Sequence, residues 1–200
     1  SGDAEVLLCA LLRFGTEALR RIQGMFAFGY WDGRARTLLL ARDRFGKKPL
    51  YYAPFGDNGR DGLAFASELR ALLACPRVRQ ERALDPVALG QFLVHEYVPA
   101  PRSILANVRK LMPGDYLLWR DGEGLRVQSY FRPHFGRQVR GHPTELAQEF
   151  YRIVEEATRV RLVADVPVGV FLSGGLDSSL LAACASRIHS KIKTFGISFE

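Results

Sequence analysis

Residues 173–179 form a glycine-rich loop, Ser-Gly-Gly-Leu-Asp-Ser-Ser, between a predicted strand and a predicted helix. The strand is the apolar segment 168–172, the helix covers 177–187, and the apolar segment 194–199 is a second predicted strand. A strand, a helix and a strand of these lengths form a parallel pair with a right-handed crossover. The last part of the chain is therefore predicted to begin a parallel α/β sheet.

The glycine-rich loop has the chemistry of an anion site. Its two glycines allow a tight turn, and the first amides of the next helix point toward the loop beside hydroxyl groups. Open α/β sheets bind their ligands at the carboxyl ends of the strands, which is where this loop stands. Its spacing is neither GxxxxGKS/T nor GxGxxG. The alternative interpretation is a plain glycine turn followed by a helix cap.

The preceding residues predict antiparallel strands and short helices. Asp32-Gly33-Arg34 is typical of a hairpin turn. The predicted strands of an antiparallel meander lie at 25–31, 37–41, 49–53 and 63–66, and a further hairpin joins 116–119 to 126–130. Predicted helices lie at 4–14, 16–22, 68–73 and 86–94, with Asp3, Ser67 and Asp85 as the N-caps of the first, third and fourth.

The segment 131–143 separates two predicted domains. It is rich in arginine, glycine, histidine and proline and poor in apolar residues, so we expect a linker. A long amphipathic helix follows from Thr144, with Leu146, Phe150, Ile153, Ala157 and Val160 on one face. The expected fold is an antiparallel α+β domain at 1–130, the linker, and the start of a parallel-sheet α/β domain at 144–200.

Composition excludes several classes of protein. With 48% hydrophobic and 24% charged residues, the chain is neither disordered nor collagen-like. Its longest apolar run, 6–12, is far shorter than the roughly 20 residues of a membrane span, and no secretory signal is visible. Three scattered cysteines favour neither disulfides nor a zinc site and fit a cytoplasmic location. The net charge of +7 indicates a diffuse basic surface rather than a nucleic-acid site.

Several motifs in order resemble one family. The loop 173–179 is similar to the pyrophosphate-binding SGGxDS loop of ATP-pyrophosphatases, which implies a domain of the adenine-nucleotide α-hydrolase-like fold. Upstream, Gly24-Met-Phe-Ala-Phe and the segments 41–52 and 65–72 resemble the later half of a class II, Ntn-hydrolase-type glutaminase domain. With Leu111-Met-Pro-Gly and Asp165-Val-Pro-Val-Gly-Val, they make the whole chain resemble the glutamine-hydrolysing asparagine synthetase family.

This resemblance implies a two-part reaction that uses ATP and Mg²⁺. Ammonia from glutamine would displace AMP from an aspartyl-adenylate, after pyrophosphate has left. The nucleophilic cysteine is expected upstream, and no catalytic residue is expected within 1–200. Since the chain lacks an initial methionine and stops in a predicted strand, we expect an excerpt of a longer protein, inactive by itself. The resemblance also admits a homodimer and argues against membrane or nucleic-acid partners.

The resemblance assigns roles to individual positions of the second domain. The residues that match the pyrophosphate loop are Ser173, Gly174, Gly175, Asp177, Ser178 and Ser179. Asp177 is the expected Mg²⁺ contact, with a helix cap as its alternative role. Leu172 and Ile197 match positions that hold adenine through backbone groups, and for both a place in the core is an equal alternative.

In the first domain, Asp3 matches the carboxylate that receives the amino group of glutamine, with an N-cap as its alternative. The other positions of the family's signature are expected to form ion pairs at a sheet edge or between domains: Arg42, Asp43, Arg44, Lys47, Glu68 and Arg70. Ser1 lies too close to Asp3 to be the nucleophile, because the family places that aspartate late in its domain. Cys9, Cys75 and Cys184 are expected to be buried thiols.

Other functions stay open at this point. The same architecture would serve a β-lactam-forming synthetase or another amidotransferase, because the residues that choose the acceptor lie downstream. A non-catalytic homologue is a third alternative. An RNA-modifying ATP-pyrophosphatase would use the basic charge, but the glutaminase-like first domain argues against it.

Overall fold

The computed structural model describes residues 2–136 and 138–197. The chain divides into two compact units, Ser1–His134 and Phe135–Glu200, and the division falls inside the segment 131–143. Three residues with sequence-based predictions, Ser1, Ser198 and Phe199, lie outside the described residues.

The first unit combines short helices with antiparallel strands. Its helices are α1 (Asp3–Phe14), α2 (Ala18–Arg21), α3 (Leu69–Leu72), α4 (Pro76–Gln80) and α5 (Pro86–His95). Its strands are β1 (Ala27–Asp32), β2 (Thr37–Arg42), β3 (Tyr51–Phe55), β4 (Gly62–Ala66), β5 (Arg109–Lys110), β6 (Asp115–Arg120) and β7 (Gly124–Ser129).

These strands form two sheets, so the predicted continuous meander is wrong. One sheet has the order β1-β2-β6-β7 and the other β4-β3-β5, and every pair is antiparallel. The reason lies in β2, whose residues 38–41 are buried on both faces. A strand of this kind needs a neighbour on each side and a covering layer on each face. Strand β6 therefore takes the place beside β2 that the meander gave to β3.

Three groups of buried side chains define the layers of the first unit. Leu39 and Ala41 of β2 pack with Leu11 and Leu19 of the first two helices. On the other face of β2, Leu38 and Leu40 pack against the second sheet. They contact Tyr52 of β3 and two residues next to its strands, Leu50 before β3 and Leu111 after β5. The second sheet is covered in turn by α3 and α4, through Phe55, Leu72 and Val78. The unit is thus two sheets face to face between helices.

One of the three predicted N-caps is confirmed and two are wrong. The Asp85 carboxylate accepts hydrogen bonds from the amides of Val87 (2.9 Å) and Ala88 (3.1 Å) at the start of α5. Asp3 is itself the first helical residue of α1, so Gly2 occupies the cap without a side-chain bond. Helix α3 begins at Leu69 and leaves the capping position to Glu68 rather than Ser67.

The second unit has the predicted strand-helix-strand arrangement. It contains α6 (Pro143–Arg161), β8 (Gly169–Phe171), α7 (Leu176–Ile188) and β9 (Lys193–Phe195). Strands β8 and β9 pair in parallel, with Phe171 opposite Phe195. Helices α6 and α7 pack together, burying Thr158, Cys184 and Ala185. On the predicted apolar face of α6, Phe150, Ile153 and Val160 are more than half exposed within this unit.

The predicted fold class, antiparallel α+β followed by the start of parallel α/β, is confirmed by this topology. The second predicted strand is shorter than expected, because β9 ends at Phe195 and Ile197 lies beyond it. Across the described residues, no helix has both the length and the apolar composition that a bilayer span requires.

Candidate functional site

The loop 173–179 leaves the carboxyl end of β8 and enters α7. The amide of Leu172 donates a 2.7 Å hydrogen bond to the carbonyl of Phe195, which extends the pairing of the two strands to the edge of the loop. Gly174 then adopts a φ of +80°, in the left-handed region that favours glycine. No atom lies within 4 Å of the place where a Cβ of Gly174 would stand, so its conformation, rather than crowding, requires glycine.

The start of α7 presents unpaired amides to this loop. Gly175 occupies the N-cap and brings no capping side chain, and its carbonyl accepts from the amide of Ser179 at 3.1 Å. Among the described residues, no acceptor bonds the amides of Leu176, Asp177 or Ser178. Such amides and the positive end of the helix dipole together attract an anion.

Two serines of the loop are joined by hydrogen bonds. The Ser178 hydroxyl lies 3.3 Å from the amide nitrogen of Ser173 and 3.1 Å from the Ser173 hydroxyl. It also donates to the carbonyl of Gly175 at 3.1 Å. Ser178 is half-buried, whereas Ser173, Asp177 and Ser179 are exposed. The sequence pattern placed these residues in one loop but gave no sign of the bonds between the two serines.

The two residues predicted at the adenine positions lie at neighbouring strand ends. Leu172 is half-buried beside Phe195 and Gly196, and Ile197 follows one residue later. Ile197 is 84% exposed, so the alternative interpretation of this residue as part of the core is wrong for the described structure. The backbone of both residues stands at the edge where the loop 173–179 begins.

Asp177 is the carboxylate in the first turn of α7. The described residues contain no group of three or more histidine, cysteine or acidic side chains able to hold a metal by themselves. Mg²⁺ is typically bound through one or two carboxylates together with substrate phosphates and water. A single exposed carboxylate beside unpaired helix amides would fit Mg²⁺ bound together with a polyphosphate and does not fit a closed metal site.

Asp3, the predicted glutamine contact, lies in the first turn of α1 and is exposed. In the described part of the chain, its carboxylate takes part in no hydrogen bond or ion pair, and its alternative role as an N-cap is excluded by Gly2. The carboxylate is therefore open to a ligand. A cavity of about 320 Å³ in the same unit is lined by other residues, among them Trp31, Phe65 and Trp119.

Asp43 and Arg42 hold the loop 43–48 through backbone contacts. The Asp43 carboxylate, 1% exposed, accepts from the amides of Phe45, Lys47 and Lys48 at 2.9–3.1 Å. Arg42 donates to the carbonyls of three residues, Gly46, Lys48 and Leu111. Burial lowers the pKa of the Arg42 guanidinium, and the adjacent Asp43 charge opposes that shift.

The ion pairs predicted for this signature at a sheet edge are therefore wrong, whereas those expected between domains stay a prediction. In the described residues, none of the six positions forms one: Arg42, Asp43, Arg44, Lys47, Glu68 and Arg70. For Asp43 and Arg42 the physical reason is burial, because the nearest partners of their charges are backbone groups, whereas Lys47, Glu68 and Arg70 are exposed. The expectation of three buried thiols also fails in part, since only Cys184 is buried and Cys9 is exposed.

Lys110 is a half-buried cation that the sequence did not single out. Its ammonium donates to the carbonyl of Val98 at 2.5 Å and lies 5.9 Å from the centre of the Tyr51 ring. Burial lowers the pKa of Lys110, and the positive charge of Arg42 lowers it further. The position of Lys110 directly before the Leu-Met-Pro-Gly motif could have drawn attention to this residue. Nothing in the sequence, however, shows that its side chain is half-buried.

A family model described as a glutamine amidotransferase domain matches residues 1–131. The chain belongs to this glutamine amidotransferase family. A second model, described as asparagine synthase, matches residues 149–200, which include the loop 173–179. The order of the two matches, a glutamine amidotransferase domain before an asparagine synthase segment, confirms the resemblance to glutamine-hydrolysing asparagine synthetases.

Curated relatives cover nearly the whole chain. Glutamine-hydrolysing asparagine synthetase 1 of Bacillus subtilis (strain 168) is 35% identical over 198 residues, which are 99% of this chain and 30% of the relative. Synthetase 3 of the same organism is 29% identical over 206 residues, 100% of this chain and 32% of the relative. Amidase chry2 of Gibberella zeae is 31% identical over 193 residues, which are 94% of this chain and 27% of the relative. The chain thus spans less than a third of each relative's length.

Proposed function

We propose that the full-length protein containing this chain forms an amide by using ATP and glutamine, with aspartate as the acceptor and asparagine as the product. The observation that carries the proposal is the anion-binding loop 173–179, which lies in the segment that matches asparagine synthase and follows a glutamine amidotransferase domain. Relatives named as glutamine-hydrolysing asparagine synthetases, which match both parts of the chain, support it.

The proposed reaction has two steps at the second domain. The acceptor carboxylate attacks the α-phosphorus of ATP, so that a carboxyl–phosphate bond forms and pyrophosphate leaves. Ammonia from glutamine then attacks the acyl carbon, the amide forms, and AMP leaves with the electron pair of the broken bond. Activation is needed because an unactivated carboxylate has no good leaving group. The charge that develops on pyrophosphate needs preorganised donors.

The residues of the loop suit that task. The amides of Leu176, Asp177 and Ser178 would receive the leaving pyrophosphate, because no protein acceptor in the described residues uses them. Asp177 would hold Mg²⁺ against the phosphates, and the ion would neutralise part of their charge. The backbone of Leu172 and Ile197, at the adjoining strand ends, would bind adenine.

Asp3 is the proposed contact for glutamine in the first domain. Its exposed carboxylate would accept a charge-assisted hydrogen bond from the ammonium group of the amino acid. The nucleophile that hydrolyses glutamine would come from another part of the protein. The three cysteines of this chain suit the task poorly: Cys9 lies within α1, Cys75 caps α4, and Cys184 is buried in α7.

A second candidate is the same chemistry on a different acceptor. The observation that favours it is the match to amidase chry2, a relative whose name does not include asparagine synthetase. Because this chain covers less than a third of that relative, an acceptor site outside residues 1–200 would decide between the two. The first experiment therefore compares aspartate with a panel of other carboxylic acids.

The test uses the full-length protein with ATP, glutamine and one carboxylic acid at a time. Release of AMP and pyrophosphate that depends on aspartate is expected, and Asp177→Asn should lower it about 100-fold. Glu149→Gln, on the exposed surface of α6, is the matched control and should leave the rate unchanged. Formation of ADP, or equal pyrophosphate release in Asp177→Asn, would refute the assignment of the loop. Activity with another acid alone would establish the second candidate.

A further inference from the structure

Ser178 and Ser179 are adjacent hydroxyl residues at the start of α7, but their surroundings differ. The Ser178 hydroxyl is half-buried and has three protein partners. The Ser179 hydroxyl is exposed and forms no hydrogen bond to any described residue. Resting on the proposed function, we infer that Ser178 is a positioning residue that holds the loop in its anion-binding shape, whereas Ser179 is free to donate to the ligand.

The number of protons on the two hydroxyl groups supports this division. A serine hydroxyl has one proton to donate and two lone pairs that accept. Because the carbonyl of Gly175 can only accept, the Ser178 proton goes to it. The remaining two contacts must then be bonds that Ser178 accepts, one from the amide of Ser173 and one from the hydroxyl of Ser173. All three positions of the Ser178 hydroxyl are filled by protein.

This arrangement also commits the hydroxyl of Ser173. Its proton points to Ser178, so only its lone pairs face outward, and lone pairs repel a phosphate oxygen. The donors left for a pyrophosphate are the amides of residues 176–178 and the hydroxyl of Ser179. The side chains of Ser173 and Ser178 would therefore act on the ligand only through the shape of the backbone.

The bonds of Ser178 connect both ends of the loop. Ser173 is the first residue of the loop and Gly175 is the N-cap of α7, and Ser178 reaches both of them from the first turn of the helix. A side chain at the third helical position also reaches back to the cap in a capping box, but there it accepts from the amide of the cap residue, whereas Ser178 donates to the carbonyl of Gly175. The Ser178 hydroxyl leaves the amides at the start of α7 unpaired, and it fixes the loop while Gly174 keeps its left-handed conformation.

The first measurement needs no ATP. Hydrogen–deuterium exchange of the full-length, ligand-free protein is followed for the peptide that contains the amide of Ser173. Loss of a hydrogen bond of ordinary strength in Ser178→Ala should speed this exchange by about fivefold or more. Ser179→Ala is the matched control and should leave it unchanged, and Ser178→Thr, which keeps the hydroxyl, should restore protection. Unchanged exchange in Ser178→Ala would overturn the inference.

The second measurement is a double-mutant cycle on the binding of magnesium pyrophosphate, followed by calorimetry. Ser178→Ala should weaken binding about tenfold. The double variant, which also carries Ser173→Ala, should bind less than about twofold more weakly than Ser178→Ala alone. Ser179→Ala should weaken binding independently of both. If the losses of Ser173→Ala and Ser178→Ala multiply instead, each serine contacts the ligand directly and the positioning role is wrong.

These outcomes separate the inference from the proposed function. If the wild-type protein neither binds magnesium pyrophosphate nor releases it from ATP, the proposed function fails and the positioning role fails with it. If the wild-type protein does both and Ser178→Ala changes neither amide exchange nor affinity, only the inference fails. Should Ser178→Ala not fold, the comparison between Ser178→Thr and the wild type decides, because loss of protection in a variant that keeps the hydroxyl contradicts the inference.

Discussion

The hydroxyl of Tyr130 donates a 2.7 Å hydrogen bond to the backbone carbonyl of Arg42. This bond joins the residue that follows β7 to the end of β2, across the four-stranded sheet. The guanidinium of Arg42 also donates hydrogen bonds to two carbonyls of the loop 43–48. The Tyr130 hydroxyl and the Arg42 side chain therefore stabilise the same end of β2 and the loop that follows it. The contribution of the Tyr130–Arg42 hydrogen bond to stability can be measured directly.

Tyr130→Phe is expected to lower the free energy of unfolding by about 1–2 kcal/mol, because the carbonyl of the half-buried residue Arg42 loses a hydrogen bond. Burial, together with the negative charge of Asp43, raises the pKa of Tyr130 to about 12. The folded state thus keeps the phenol proton at a pH where the unfolded chain has lost it, so stability falls as pH rises from 10 toward 12.

Urea unfolding at pH 7 and at several values between 10 and 12 checks both parts of this prediction. Tyr30→Phe is the control, since the Tyr30 hydroxyl has no hydrogen bond within the described residues. The alkaline loss of stability should be steeper for the wild type than for Tyr130→Phe. Parallel pH curves for the two proteins would contradict the prediction.

Gly114→Ala is expected to destabilise the first unit by about 3 kcal/mol or more. Gly114 has a φ of +71°, and a Cβ there would lie 2.4 Å from the carbonyl oxygen of Phe131. That backbone is held in place, because the carbonyl of Gly114 accepts from the amides of Tyr130 and Phe131.

Gly122→Ala is a matched control for this clash. Its φ of +75° is nearly the same, but no atom lies within 4 Å of the Cβ position. We expect Gly122→Ala to cost only the left-handed conformation, about 1 kcal/mol. Equal losses of unfolding free energy in the two variants would show that the contact with Phe131 adds nothing.

Asp85→Asn should reduce stability at neutral pH and have less effect in acid. An asparagine oxygen still caps α5, but the charge that pairs with Arg102 at 2.6 Å is lost. The hydrogen bond from the amide of Ala88, with Arg102 and the amide of Val87, lowers the pKa of Asp85 below 3.8. The wild-type advantage is therefore present above pH 3.8 and disappears as pH falls through the lower, folded-state pKa.

Thermal unfolding of both proteins from pH 2 to pH 7 measures this difference. Asp61→Asn, which removes an exposed pair with Arg77, is the control and should lower stability little at any pH. A gap between wild type and Asp85→Asn that stays constant down to pH 2 would show that the charge of Asp85 does not stabilise the fold.

Asp3→Asn tests the proposed glutamine contact. Since the side chain caps no helix, the substitution should hardly alter folding. Loss of a charge-assisted hydrogen bond to an ammonium group should lower glutamine-dependent synthesis about ten- to a hundred-fold at sub-saturating glutamine. Ammonium salt supplies nitrogen without that site and should restore the wild-type rate. The measurement is product formation by the full-length variant with each nitrogen source, and equal losses with both would exclude the contact.

Features determined by neighbouring residues could be predicted from the sequence. The hairpin of β1 and β2 follows from Asp32-Gly33-Arg34, and the Asp32 carboxylate does accept from the amides of Arg34 and Ala35 in that turn. The cap at Asp85 and the strand-helix-strand order around the loop 173–179 are equally local. Each depends on a few residues whose hydrogen bonds are made within the same turn.

Features that depend on distant partners could not be predicted. The neighbour of β2 is β6, and no local pattern shows that pairing. The charges of Arg42 and Asp43 suggested ion pairs, whereas burial turned both toward backbone groups. The start of α1 could be predicted only to within one residue. Glycine and aspartate both occur at N-cap positions, so only the backbone conformation shows that Gly2, rather than Asp3, is the cap.

The position of β2 between β1 and β6 has a consequence for protein synthesis. The hairpin of β1 and β2 can form as soon as it leaves the ribosome, but β6 is translated only after all three strands of the other sheet and helices α3 to α5. For a time on the order of seconds, the apolar residues of β2 have an unpaired edge. The nascent first unit is therefore expected to be prone to aggregation until residue 120 has emerged.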